Sequence, residues 1–177
     1  TYHKVLIVTD AAINIAPALD DKVDICHNAI DLARALSLQQ PKVAILAAVE
    51  TVNSKMPSTI DAACLCKMAD RGQIKGGLLD GPLAFDNAIS KQAAQIKGIA
   101  SEVAGDPDIL LVPDLEAGNI LAKQLSFLAN ADSAGLVLGA RVPIILTSRA
   151  DSVRSRIASC GVAVLAAHAR RRSHAIA

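Results

Sequence analysis

The sequence predicts an α/β fold in three layers, with helices on both faces of a mostly parallel sheet. Two observations carry this expectation. Short apolar runs alternate with stretches of helical periodicity almost from the first residue, which is the pattern of repeated β-α units. The 177 residues are also 52% hydrophobic but only 2% aromatic, so Ala, Val, Ile and Leu must fill one sizeable interior. No composition break, internal repeat or low-complexity stretch interrupts this pattern.

The first strand is HKVLIVTD, a β-branched run ending in Asp10. A helix follows in DDKVDICHNAIDLARALSL, where Val23, Cys26, Ala29, Ile30, Ala33 and Leu36 recur at helical spacing behind Asp20 and Asp21. Pro41 opens the second strand, PKVAILAAVE. The helix STIDAACLCKMADRGQ comes next, with Pro57 before it and Ser58 as the expected N-cap. A short strand around Leu78 and Leu79 is expected to end in Asp80-Gly81-Pro82, with a helix from about Phe85. PDILLVPD then reads as a strand and EAGNILAKQLSFLAN as a helix. The runs AGLVLGA and VPIILTS lie so close together that a hairpin or short jog joins them, not a helical crossover. From Asp151 onward the chain reads as a helix.

Charge and cysteine content narrow the function classes. The balance of 18 basic against 17 acidic residues gives no electrostatic case for nucleic acid. The basic run Arg170–Arg172 suits a solvated helix end. Cys64 and Cys66 are two residues apart, so on a helix they diverge, and with Cys26, Cys160 and the scattered histidines (3, 27, 168, 174) no zinc pattern forms. Cys26 and Cys160 read as small buried side chains, and free thiols suit a reducing cytoplasm. AGLVLGARVPIIL is too short to span a bilayer, and no signal peptide is expected. The chain begins at Thr1 with strand-like residues and without Met, so it is expected to be a piece of something longer.

In parallel α/β sheets ligands lie beyond the C-terminal strand ends. Four such ends carry polar residues: Asp10 with Asn14, Asp80-Gly81 with Asp86, Asp114 through Asn119, and Ser148 through Ser152. Helix capping accounts for any one of them alone. In PDLEAGNILAK, Gly118 and Asn119 fall at a helix start whose free N–H groups favour an anion, and Lys123 follows one turn later. An ordinary helix start with a solvated Lys is the plainer alternative, and no GxxxxGK[ST] motif is present. In VPIILTSRADSVRSR, Arg149 offers a fork of donors suited to phosphate, and Ser148 can donate to a developing negative charge. Asp151 is either a base or, more simply, the N-cap of the last helix. Neither a G-x-S-x-G elbow nor a dinucleotide fingerprint occurs.

With these residues in place, the chain resembles the C-terminal half of the phosphate acetyl/butyryltransferase family. The likeness runs through DAAINIAP (10–17), LLDGPLAFDNAIS (78–90), DILLVPDLEAGNILAKQL (108–125) and VPIILTSRADS (142–152). The LTSRADS form is more like phosphate butyryltransferases, and like the transferase part of bifunctional enzymes joined to an enoyl-CoA hydratase. The resemblance implies an isocitrate/isopropylmalate dehydrogenase-like fold, a cytoplasmic homodimer, and acyl exchange between coenzyme A and inorganic phosphate. Coenzyme A is then a substrate, with no bound cofactor and no metal. It also implies that residues 1–150 are the family's second domain, and that residues 151–177 form a helix packing on an N-terminal domain this chain lacks.

Residue by residue, the resemblance implies catalytic roles for Ser148 and Arg149. It implies substrate binding by Gly118, Asn119, Lys123, Asp80 and Asp86, with Asp114 at the same strand end. Acetyltransferases of the family carry an Asp base several residues after the Ser-Arg pair; here Ser155 stands at that spacing, and Asp151 is the nearer carboxylate. Two other function classes stay open: a non-catalytic domain that binds coenzyme A or a partner chain, and an NAD-dependent dehydrogenase sharing the fold.

Overall fold

The computed structural model describes residues 2–176, with side chains from Tyr2 to Arg172; His174 and Ala177 lie outside that description. Among the described residues, six strands and six helices run in the order β1 (Ile7–Thr9), α1 (Leu19–Ala35), β2 (Lys42–Leu46), α2 (Pro57–Asp70), β3 (Leu78–Leu83), α3 (Phe85–Ile89), α4 (Lys91–Ile96), β4 (Ile109–Leu111), α5 (Leu115–Phe127), β5 (Leu136–Val137), β6 (Ile144–Ile145) and α6 (Val153–Ile176). The first four strands form one sheet in the order β1-β4-β2-β3, parallel throughout. β5 and β6 pair antiparallel as a separate two-stranded sheet, the hairpin the sequence predicts.

Side chains of a strand alternate between faces, and this divides the core in two. Val43 and Ile45 of β2 join Ile109 and Leu111 of β4 against Ile25, Cys26, Ala29, Ile30 and Ala33 of α1 and Leu65 of α2. Ala44, Leu46, Leu83, Leu110 and Val112 face the other way, onto Ala88, Ala94 and Val103. Apolar cover on both faces of one sheet is the three-layer arrangement expected. Burial also pushes the Cys26 thiol up to about 12, with Cys66 nearby adding to the effect.

Several local expectations are corrected. α2 begins at Pro57, with Met56 rather than Ser58 at the cap position. Proline at the first helical position has no N–H to satisfy, and Thr59 ties the entry down by accepting from the Asn53 amide at 2.9 Å. The helix after Leu83 breaks at Ser90, whose hydroxyl caps α4 by accepting from the Ala93 amide at 3.2 Å. Cys160 is exposed on α6, not buried. β3 does not stop at Asp80 but runs on through Pro82 to Leu83. It is an edge strand, where a residue without an N–H is tolerated.

Candidate active site

Because the four strands of the main sheet are parallel, their C-terminal ends share one edge. β1 leaves that edge into a loop organised by Asp10. Its carboxylate accepts from the amides of Ala12 (2.8 Å), Ile13 (2.9 Å) and Asn14 (2.8 Å), and from Asn14 Nδ2 (2.7 Å). Burial opposes the charge, but these donors outweigh it and hold Asp10 below the usual carboxylate range. The residue shapes its own loop, and its lone pairs are committed there.

α5 packs directly on this loop. A Cβ on Gly118 would lie 2.6 Å from the Asp10 carbonyl oxygen and 2.8 Å from Val112 Cγ2, so only glycine allows the approach. Asn119 Nδ2 donates to the Ala11 carbonyl at 3.2 Å, and the Leu115 amide donates to the Ile15 carbonyl at 3.1 Å. Asp114 is the N-cap and accepts from the Ala117 amide at 2.8 Å. The expectation of free donors at Gly118 and Asn119 is corrected. α5 starts at Leu115, and the Gly118 amide already donates to the Asp114 carbonyl at 3.1 Å. Lys123 is exposed one turn beyond Asn119, on the same side of the helix.

At the β2 and β3 ends, Asp86 opens α3 and pairs with Lys97 at 3.1 Å. Lys97 also reaches Glu50 at 3.1 Å, and Glu50 accepts from Asn87 Nδ2 at 3.2 Å. The hydrogen bond from Lys97 holds both carboxylates below their ordinary values. Asn87 is fully buried, and its Oδ1 has no hydrogen-bond partner among the described residues. Glu50, Asn87 and Lys97 were not anticipated from the sequence. Glu50 closes the run PKVAILAAVE, so applying the strand-end rule to β2 would have marked it. Asp80, by contrast, lies inside β3 opposite Ala44, where it accepts from the Gly81 amide at 2.8 Å.

The segment after β6 is a tight turn. Asp151 Oδ2 accepts from the Ser148 amide at 2.6 Å, the Asp151 amide returns to the Ser148 carbonyl at 3.1 Å, and Ser148 Oγ accepts from the Ala150 amide at 3.3 Å. Asp151 therefore does not cap α6. Ser152 takes that place, its Oγ accepting from the Ser155 amide at 3.1 Å. Ser155 itself is engaged with the Ser152 and Ser133 hydroxyls. Arg149 is exposed between the two ends of the turn and has no ion pair among the described residues. This turn belongs to the two-stranded sheet. The shared edge thus gathers Asp10 with Asn14, Asp86 and the Asp114–Asn119 segment, while Ser148–Ser152 comes from outside it.

A family described as phosphate acetyl/butaryl transferase matches residues 1–166. The chain is 69% identical over 172 residues to a phosphate acetyltransferase of Rhizobium meliloti, an alignment covering 97% of this chain and 54% of that protein. It is 47% identical to a phosphate butyryltransferase of Clostridium acetobutylicum, covering 94% of this chain and 55% of that one. Among solved structures it is similar to a branched-chain phosphotransacylase from Enterococcus faecalis V583, with TM-score 0.83 and 38% identity over 91% of this chain and 58% of that one. The chain spans about half the length of the curated relatives it matches.

Proposed function

Because the chain belongs to the phosphate acetyl/butaryl transferase family, we propose that it carries the Ser-Arg half of an acyltransferase: acyl-CoA plus phosphate gives acyl phosphate plus coenzyme A. The observation that carries this reading is the Ser148–Asp151 turn, which presents an exposed guanidinium, without an ion pair among the described residues, beside a fixed hydroxyl and a carboxylate.

Arg149 holds the phosphate dianion, its planar fork matching two phosphate oxygens and turning an encounter into a near-attack geometry. A phosphate oxygen attacks the thioester carbonyl carbon, forming a C–O bond, and the tetrahedral intermediate then breaks its C–S bond. Charge growing on the carbonyl oxygen is met by the Ser148 hydroxyl proton, which the bond from Ala150 leaves available. The Gly118 amide has no part in this, since it serves α5. The thiolate leaves readily, a thiol pKa being about 8.5, and is protonated on release. In reverse the thiol must lose that proton. Asp151 takes it on its second oxygen, since Oδ2 accepts from the Ser148 amide.

Lys123 and Asn119, one helical turn apart, suit the charged end of coenzyme A. Asp114 and Gly118 support that site by fixing where α5 starts and how closely it packs. Asp86 belongs to the Lys97–Glu50 group at the same edge. Asp80 is set back within β3 and supports the strand's exit more than it touches substrate. Coenzyme A is a substrate in this reaction, which needs no bound cofactor or metal.

An isocitrate/isopropylmalate dehydrogenase-like pair of domains fits this reading, with residues 1–150 as the second domain. The helix from residue 151 and the exposed β5–β6 hairpin then meet an N-terminal half, and a homodimer in the cytoplasm follows from the same reading. No helix among the described residues is long and apolar enough to cross a membrane.

The test is release of free thiol from acetyl-CoA or butyryl-CoA on addition of phosphate. Phosphate-dependent release that Arg149→Ala lowers by about 100-fold supports the assignment. If this chain alone is silent, the assay is repeated with an N-terminal half restored; continued silence there overturns the transferase reading in favour of a binding domain.

A further inference from the structure

Asn87, in α3, is 0% exposed, and its side chain makes one hydrogen bond among the described residues, from Nδ2 to Glu50 Oε2 at 3.2 Å. Its Oδ1 has no partner there. Turning the amide over gives no relief, since Oδ1 would then face a carboxylate. A buried acceptor without a donor destabilises the fold, and a small apolar side chain would avoid that loss. The position therefore keeps a polar residue against the interest of stability, and what that residue does is fix Glu50.

Glu50 stands on the edge where ligands lie. It follows β2, Asn87 follows β3, and both strands leave the main sheet at their C-terminal ends. Its side chain is 30% exposed. The bonds from Asn87 and Lys97 both fall on Oε2, and among the described residues no other residue's donor falls on Oε1. The bond from Lys97 holds the carboxyl below its ordinary range, so at neutral pH Glu50 is ionised and accepts hydrogen bonds. Two carboxylates, Glu50 and Asp86, share one ammonium, Lys97. The net negative charge turns phosphate away and suits a neutral N–H or O–H donor. The same two loops leave Val52 61% and Phe85 40% exposed, so a donor set among methylene groups fits this edge better than a ribose hydroxyl.

We propose that Glu50, positioned by Asn87, accepts a hydrogen bond from an amide N–H in the uncharged pantetheine arm of acyl-CoA. This rests on the transferase reading and extends it to a substrate contact outside the Ser148 turn. β2 adjoins β4 in the sheet, and α5 follows β4. The contact therefore lies one strand from α5, whose Lys123 and Asn119 suit the charged end of the same molecule.

Steady-state kinetics test this in whichever form of the chain shows phosphate-dependent thiol release. The substrates are butyryl-CoA and butyryl-pantetheine, which lacks the nucleotide part. Glu50→Gln should raise KM about tenfold for both and leave kcat within about twofold, the scale of losing a hydrogen bond to a charged group. The Gln oxygen turns to Asn87 and Lys97, which leaves its NH2 facing the substrate donor. Asn87→Ala should raise both KM values at least about threefold, while the melting temperature of the 177-residue chain stays level or rises. A butyryl-pantetheine with ester oxygens in place of its amide N–H groups removes the donor without touching the protein. It should raise KM as Glu50→Gln does, with no further rise in the variant, and it gives the reading even where a variant misfolds by circular dichroism. An active enzyme whose KM ignores Glu50→Gln, or responds with butyryl-CoA alone, overturns the proposal and leaves the transferase reading standing. A lower melting temperature in Asn87→Ala with KM unmoved overturns the positioning role of Asn87. Silence of every form in the thiol assay overturns both the proposal and the reading beneath it.

Discussion

β4 and β6 are written in nearly the same letters and have opposite surroundings. PDILLVPD gives a strand whose three residues, Ile109, Leu110 and Leu111, are at most 1% exposed. VPIILTS gives a strand whose Ile144 and Ile145 are 45% and 42% exposed. β4 lies between two parallel neighbours with helices on both faces, while β6 has one antiparallel partner of two residues. An apolar run states a demand for cover; the topology available within the chain decides whether the demand is met. Other exposed apolar side chains are Phe127 and Leu128 at the end of α5, Val142 in the hairpin turn, and Val153 and Ile157 on α6.

That contrast can be tested by substitution. Ile109→Ala should cost about 2–5 kcal/mol, because a filled site in the middle of the sheet cannot collapse around the cavity. Ile145→Ala should stay within about 0.5 kcal/mol, as expected where little is packed. Urea unfolding of both variants measures the difference, and equal losses would erase the distinction between the two strands. Arg149→Ala should lower kcat/KM of the active transferase by about 100-fold, the scale of removing one preorganised charge partner, with the unfolding midpoint unmoved. Gly118→Ala should cost about 1–3 kcal/mol by overpacking α5 against the Asp10 carbonyl, and the melting temperature reads this directly. Ile144→Ser with Ile145→Ser should reduce self-association in sedimentation experiments while changing monomer stability by no more than about 0.5 kcal/mol.

A modest effect is expected from pH, on the well-packed side. Asp106 sits between Lys4 and Lys42, at 3.0 and 3.2 Å. Burial opposes its charge, but the two ammonium groups prevail and bring its pKa down to about 2. A folded value below the unfolded one, about 4, means that the stabilisation is complete above pH 4 and disappears as pH falls toward 2. Solvent screening limits it to about 1 kcal/mol. Asp106→Asn should flatten the stability profile in that window, and an unchanged slope would remove Asp106 from the account of acid sensitivity.

The main sheet was legible because its strands are apolar on both faces and its helices carry a clear period. The edge position of β3 was not, since strand order depends on long-range pairing that no local pattern encodes. That is why Asp80-Gly81-Pro82 read as a stop. In α5 the helix begins at Leu115, one residue before the run EAGNILAKQLSFLAN, and the Gly118 amide expected to be free at its start is already bonded to the Asp114 carbonyl. At the last helix, Asp151 and Ser152 are both good caps, and the tight turn that draws Asp151 back to Ser148 decides for Ser152. Glu50, Asn87 and Lys97 meet across 37 and 47 residues of sequence, so only the folded chain shows them as one group.

The two-residue strands of the hairpin also bear on how long this polypeptide lasts in a living cell. Their outer edges offer backbone groups to any passing strand, and β6 presents two isoleucines to water. Quality-control machinery reads such features as unfinished folding, and a holdase or protease engages them in proportion to the time they stay open. A surface that covered the hairpin would therefore lengthen the chain's lifetime.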